Sequence, residues 1–210
     1  MLSGERLCFR YSTQHPWILQ DVSVAIAPGE IVGLMAPSGF GKTTLAKILA
    51  GYLSPAQGTV RLQGKPLPPK GYCPVQLIFQ TPELAVNPRW KIQKILSEGQ
   101  TPEQALLDRL GIDPGWLSRY PHELSGGELQ RVAVARSLNA KTRYLIADEM
   151  TAMLDANTQA LIWHVVMEYT RTHQLGLLVV SHEIHLLKRL CDRMLDLSIN
   201  SRSSKPQVVV

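Results

Sequence analysis

Apolar and polar positions along this 210-residue chain fall into two rhythms. Residues 7–11 and 22–26 alternate, and the second stretch stops at the turn pair Pro28-Gly29; both read as strands. Residues 31–35, 144–147 and 176–180 are continuous apolar runs, the texture of strands covered on both faces. Residues 59–62, 75–79 and 193–197 complete the strand set. Helical spacing takes over at 42–53, through Leu45, Ile48 and Leu49 with Gly51 near the end. It returns at 157–172 and 183–190. Residues 64–74 are dense in proline and glycine and predict a loop, and residues 200–205 are polar enough to fray.

Between Thr81 and Lys141 the texture changes. Short helical patterns at 92–98, 102–110 and 127–138 are separated by prolines and glycines, with no strand-like run among them. Strands alternating with helices predict an α/β fold built on a mainly parallel sheet. The middle stretch reads as an inserted helical subdomain at 81–142, leaving 1–80 and 143–210 to form one core.

Composition narrows the class. A hydrophobic fraction of 45% with 19% charged residues excludes disorder and collagen. No apolar run approaches the ~20 residues that span a bilayer. No basic stretch followed by an apolar one opens the chain, so no secretory leader is expected and the chain is placed in the cytosol. The 3 cysteines form no C-x-x-C pair and read as free thiols. A net charge of +5, from 22 basic and 17 acidic residues, suits a partner rich in phosphate without naming one.

The candidate chemistry starts at Ala36-Pro-Ser38-Gly39-Phe40-Gly41-Lys42-Thr43-Thr44. It follows a buried strand and opens a helix, the context a phosphate-binding loop requires. Amides from Gly39 to Thr44 can point into one concavity, aided by the helix N-terminus. Lys42 would reach the β- and γ-phosphates and the Thr43 hydroxyl would ligate Mg²⁺. Tyr144-Leu-Ile-Ala-Asp148-Glu149 is an apolar strand ending in two acids. One carboxylate can hold the metal while the other polarises a water, although solvated acids often end strands. Leu124-Ser125-Gly126-Gly127-Glu128 precedes a helix. It reads either as a bare helix end that binds phosphate or as a serine N-cap with its capping box. His182-Glu183-Ile184-His185 is no zinc protease motif, because its histidines stand at i and i+3. His15, His122, His164 and His173 read as surface or capping residues. Trp17, Trp90, Trp116 and Trp163 read as core or subunit contacts, and Met150 and Met153 as gap-fillers.

Taken together and in this order, the three motifs resemble those of the ATP-binding cassette ATPases, the nucleotide-binding subunits of membrane transporters. The resemblance spans nearly the whole chain and implies a P-loop core binding ATP and Mg²⁺. It places Tyr11 on adenine and Ser38, Gly39, Phe40, Gly41, Lys42, Thr43 and Thr44 on the phosphates. Asp148, Thr43 and Gln80 fall at the metal, with Gln80 also near the attacking water, Glu149 as the base and His182 at the γ-phosphate. Ser125, Gly126, Gly127 and Glu128 would bind the ATP of a second ATPase subunit, and Leu154-Asp155 would cross to it. A separate membrane permease is implied, with a substrate-binding protein and no nucleic acid, and the chain would lie on the inner face of the membrane. DNA-repair heads carry a long coiled coil and translation factors two cassettes, and neither feature is seen.

Finer matches look like the oligopeptide, dipeptide and nickel importers: Gln76-Leu-Ile-Phe-Gln80, Val86-Asn87-Pro88-Arg89-Trp90, the run from Tyr120 to Arg131, and Leu190-Cys191-Asp192-Arg193. The chain departs from the family at Ala36, at Phe40, where a small residue is usual, and at Met150, Ala152 and Met153, where proline, serine and alanine are usual. The chain also ends soon after Leu197, without the cysteine-bearing tail of the peptide importers. That leans the expected cargo towards nickel or another small cargo rather than peptide.

Overall fold

Complete burial of two five-residue strands organises the molecule. In the computed structural model, which describes residues 1–197 and the backbone of 208–209, β7 (Tyr144–Asp148) and β8 (Gly176–Val180) are buried at every position. They lie side by side in a sheet ordered β10-β9-β3-β8-β7-β6, with β3 at Ile31–Met35, β6 at Val75–Ile78, β9 at Arg193–Asp196 and β10 at Val208–Val209. All pairings are parallel except β10 on β9. Successive side chains point to opposite faces, so each strand feeds two cores. Tyr144, Ile146, Leu178 and Val180 face α1 (Lys42–Leu49), while Leu145, Ala147, Leu177 and Val179 face the remaining helices.

The first core is closed by a second sheet that the apolar pattern did not announce. It is antiparallel, ordered β2-β1-β4-β5, with β1 at Leu2–Phe9, β2 at Leu19–Ile26, β4 at Gln57–Leu62 and β5 at Lys65–Pro66. The strand read at 7–11 starts at Leu2 and stops at Phe9, leaving Tyr11 outside it. A bulge at Arg6, with φ of 49°, exposes Glu5 and Arg6 consecutively and breaks the alternation. The loop read at 64–74 hides β5, which pairs with β4 through Gln63-Gly64, both at positive φ. Such a two-residue turn matches strand twist, and the proline sits on an edge strand. α1 ends at Leu49 rather than at 53, because Gly51 turns the chain at φ +79°. The fraying expected at 200–205 lies outside the described residues.

Gly58 faces the Arg6 bulge at φ +88°, and a Cβ there would lie 2.4 Å from the carbonyl oxygens of Glu5 and Arg6. Backbone atoms cannot step aside as a side-chain tip can. Gly58→Ala is therefore expected to cost about 2–4 kcal/mol in urea unfolding. An unchanged midpoint would show that the bulge is not rigid.

Between β6 and β7 the described chain contains only helical turns, with α2 (Ile92–Leu96), α3 (Gln104–Arg109) and α4 (Gly126–Ser137) the longest. Their apolar residues, including Ile92, Ile95, Leu107, Trp116, Leu129 and Val132, join the second face of the parallel sheet in one cluster. α5 (Ala156–His173) covers that face with Ile162, Trp163, Val166, Met167 and Thr170, a single helical stripe. α6 (Ile184–Leu190) follows β8 and packs against β3.

Candidate active site

The carboxyl ends of β3, β8 and β7, adjacent in the sheet, each carry part of the candidate chemistry. From β3 the chain passes through Ala36 to Gly41 into α1. Gly41 caps α1 at φ +83°, and a Cβ there would sit 2.8 Å from Ile18 Cγ2 and 2.9 Å from Leu19 Cδ2. Only glycine fits that turn. The first turn of α1 has no acidic residue and its N-cap makes no side-chain bond, which leaves amides available to an anion. Lys42 is 8% exposed, and its ammonium donates to the carbonyls of Ala36 at 2.7 Å and Pro37 at 3.2 Å. Phe40 finds room by pointing outward, its ring 44% exposed.

Asp148 ends β7 at 3% exposure, and its Oδ1 has no hydrogen-bond partner. Burial pushes its carboxyl above the usual range, a hydrogen bond with Thr43 pulls it back, and the Glu149 charge pushes it up again. Lys47 and Lys42 lower it further down the order. Glu149 adopts φ +48°, a left-handed conformation uncommon outside glycine, with its amide donating to Val180 at 3.0 Å. Its carboxylate then lies 3.3 Å from Nδ1 of His182, which follows β8. The pairing of Asp148 with Val180 sets this contact, since the two loops leave the sheet from one row. Gln80, half-buried, leaves the neighbouring strand β6 two residues beyond its end.

Not every expected residue joins this group. Ser125 caps α4, its Oγ accepting from Glu128 N at 3.3 Å while Glu128 Oε2 accepts from Ser125 N at 2.7 Å. The capping box is real, and it leaves Ser125 and Gly126 exposed. Among the described residues no hydrogen bond or ion pair joins 125–128 to the phosphate loop. Tyr11 is 63% exposed and meets Phe9 edge-on, with ring centroids 5.1 Å apart. Met150 is buried as a gap-filler should be, but Met153 is 75% exposed and fills no gap. Trp116 and Trp163 are core residues.

Two positioning residues were missed. Gln130, 1% exposed on α4, donates to the Phe79 carbonyl at 3.2 Å and so ties α4 to the residue before Gln80. Thr151 Oγ1 accepts from Trp163 Nε1 and Gln159 Nε2, each at 3.1 Å, fixing the loop after Glu149 on α5. Both are polar residues in apolar surroundings, the one signal that could have found them.

No helix among the described residues is long and apolar enough to cross a membrane. The sequence matches the ABC transporter family over residues 19–152. It is 33% identical over 220 residues to the nickel import ATP-binding protein NikE of Escherichia coli K12, covering 96% of this chain and 82% of that protein. It is 32% identical to an uncharacterized ABC transporter ATP-binding protein, YejF, of the same strain, covering 86% of this chain but spanning only 38% of that protein's length. Among solved structures, a bacterial ABC transporter cassette determined as a dimer superposes with a TM-score of 0.78 at 22% identity, covering 93% of this chain and 94% of that one. The fold and these likenesses agree, and the chain belongs to the ABC transporter family as an ATP-binding, ATP-hydrolysing subunit.

Proposed function

We propose that the chain powers a membrane importer, with one cassette paired to another beneath a separate permease. The observation that supports this best is the convergence of Lys42, Asp148, Glu149 and His182 at three adjacent strand ends. In this reading the amides from Ser38 to Thr44 receive the phosphates of ATP. Lys42 exchanges its two carbonyl partners for phosphate oxygens, and Tyr11 offers its ring to adenine. Thr43, Gln80 and Asp148 present hydroxyl, amide and carboxylate oxygens, the hard donors Mg²⁺ takes, and the unpartnered Asp148 Oδ1 suits that role. Held there, Mg²⁺ would supply positive charge against the phosphate oxygens.

Glu149 accepts the proton of the attacking water as the water oxygen bonds to the γ-phosphorus. The bond to the β-phosphate oxygen breaks and ADP leaves with its electron pair. His182 holds the Glu149 carboxylate and reaches towards the γ-phosphate. Ser125, Gly126, Gly127 and Glu128, remote from this loop in their own chain, serve the ATP of the partner cassette. We read 1–80 and 143–210 as the core and 81–142 as the helical subdomain. The assembly would work at the cytoplasmic face of the membrane, with a substrate-binding protein and without nucleic acid.

We take nickel rather than peptides as the cargo to test first, on the likeness to a nickel import protein. Cells lacking this chain should lose uptake of radiolabelled nickel and keep dipeptide uptake. Loss of dipeptide uptake alone would reassign the cargo, and loss of neither would reject import.

Asp148→Asn separates activity from stability. Turnover with Mg²⁺ and ATP should fall by about 10²-fold or more. The ligand-free variant should nonetheless resist urea better than wild type at neutral pH. Asp148 binds its proton more tightly folded than unfolded, so its contribution is lost as pH rises through the folded value. Urea titrations on the acidic and neutral sides of the carboxylate range should show the gap between variant and wild type widening with pH. A gap that stays constant would remove burial of this charge as the cause.

A further inference from the structure

Between β7 and α5 the chain runs through residues 149–155 on few anchors. At one end the Glu149 amide donates to Val180. At the other Asp155 caps α5, its Oδ1 accepting from Asn157 N at 3.1 Å and Thr158 N at 3.0 Å. Two turns join these ends, Ala152 N donating to the Glu149 carbonyl and Leu154 N to the Thr151 carbonyl, each at 3.1 Å. Ala152 and Met153 are exposed. Midway, Thr151 is buried, and its Oγ1 accepts from Nε1 of the equally buried Trp163 at 3.1 Å. Gln159 Nε2 reaches the same oxygen at 3.1 Å, but Gln159 is half-buried, where water can take its place. The indole bond is the one closed to water. An indole has a single donor, and Trp163 directs it from α5 onto the loop that carries Glu149.

We propose that Trp163 is a positioning residue for hydrolysis: its N–H pins Thr151 and thereby keeps the Glu149 carboxylate aimed at the attacking water. The proposal rests on the reading of Glu149 as the base. Glu149 stands at φ +48°, a conformation that persists only where the surroundings hold it. The bond to Val180 holds the side before it, and the turn through Thr151 holds the side after it. With the hydroxyl unpinned, the peptide following Glu149 can rotate and the carboxylate can swing away from its contact with His182. Moving a reacting group by about 1 Å is enough to slow a reaction by about 10²-fold. The amides of 38–44 that receive the phosphates belong to another loop, so the loss falls on the rate and not on the binding of ATP. A tryptophan that only filled the core would act through stability instead.

Steady-state turnover of the purified full chain with Mg²⁺ and ATP tests this. W163F keeps an aromatic ring and loses the donor; its kcat should fall by about 10–100-fold with KM within about twofold of wild type. T151V keeps the shape and loses the acceptor, and should lose as much. The double variant should be no slower than either single one, because both remove the same bond. T151S keeps the hydroxyl and should keep wild-type kcat. V166A, a fully buried position on the same helix, should lower the melting temperature and leave kcat unchanged. In a ¹⁵N spectrum the indole signal that W163F removes should move in T151V and stay in T151S. Wild-type kcat in W163F and T151V would overturn the proposal. So would losses that multiply in the double variant, an indole signal unmoved by T151V, or a kcat in V166A that falls as far. Should W163F not fold, T151V against T151S decides. E149Q separates the proposal from the reading beneath it. An inert E149Q beside a fully active W163F overturns the positioning role alone, whereas E149Q at wild-type turnover rejects the base and the proposal with it.

Discussion

Lys42→Ala is expected to lower ATP turnover by about 10²–10³-fold or more, the loss that follows when one preorganised charge contact to a transferring phosphoryl group is removed. No other residue of the loop carries a cation. The amides of α1 remain in the variant and still favour an anion, so weak nucleotide binding can persist while the γ-phosphate loses its counter-charge. The substitution also removes the donor that Ala36 and Pro37 share. A drop in activity therefore has to be accompanied by an unchanged circular dichroism spectrum and a near-native melting temperature. With those controls, turnover close to wild type would sink the phosphate-loop assignment.

Glu149→Gln is expected to reduce hydrolysis by about 10²–10⁴-fold while preserving ATP binding, since the amide keeps the size of the side chain but cannot take a proton. The contact with His182 Nδ1 can survive through the amide oxygen. Bound ATP should then persist and bridge two chains, its phosphates held by one phosphate loop and by Ser125 and the glycine amides of the partner. Light scattering should find a dimer with ATP and a monomer with ADP. Ser125→Arg added to this variant should abolish the dimer, because the arginine fills the place of the phosphate beside a helix end that is otherwise exposed. A variant that binds ATP tightly and stays monomeric at high concentration rejects the homodimer. Recovery of the dimer on adding a second cassette subunit would identify a heterodimer.

The strand ends and the loop that carry the candidate site were more legible in the sequence than the second sheet packed against them. Phosphate chemistry needs glycine at fixed offsets and a lysine beside them, so Gly39, Gly41 and Lys42 are written into local order. The strand preceding them is buried on both faces and shows as an unbroken apolar run. The antiparallel sheet was partly hidden because its alternation fails at Arg6 and at the Gln63-Gly64 turn. Those breaks depend on partners far along the chain, such as Gly58 against Glu5 and Arg6. Gln130 was missed for the same reason: its partner, Phe79, is distant in sequence. The two readings of Ser125 proved compatible. The side chains of Ser125 and Glu128 satisfy each other, and Gly126 beside them has open space where a Cβ would stand.

Asp148 and Glu149 are each held in a state they would leave if released: a carboxylate without a partner for Oδ1, and a backbone in glycine's conformation. An asparagine at the first position and a glycine at the second are expected to relax the ligand-free chain, and in the proposed reading either lowers hydrolysis by about 10²-fold or more. A library of variants screened for heat resistance alone should thus drift towards inert proteins at these two neighbouring codons. In the proposed reading, work done on ATP is what keeps both tensions in the chain.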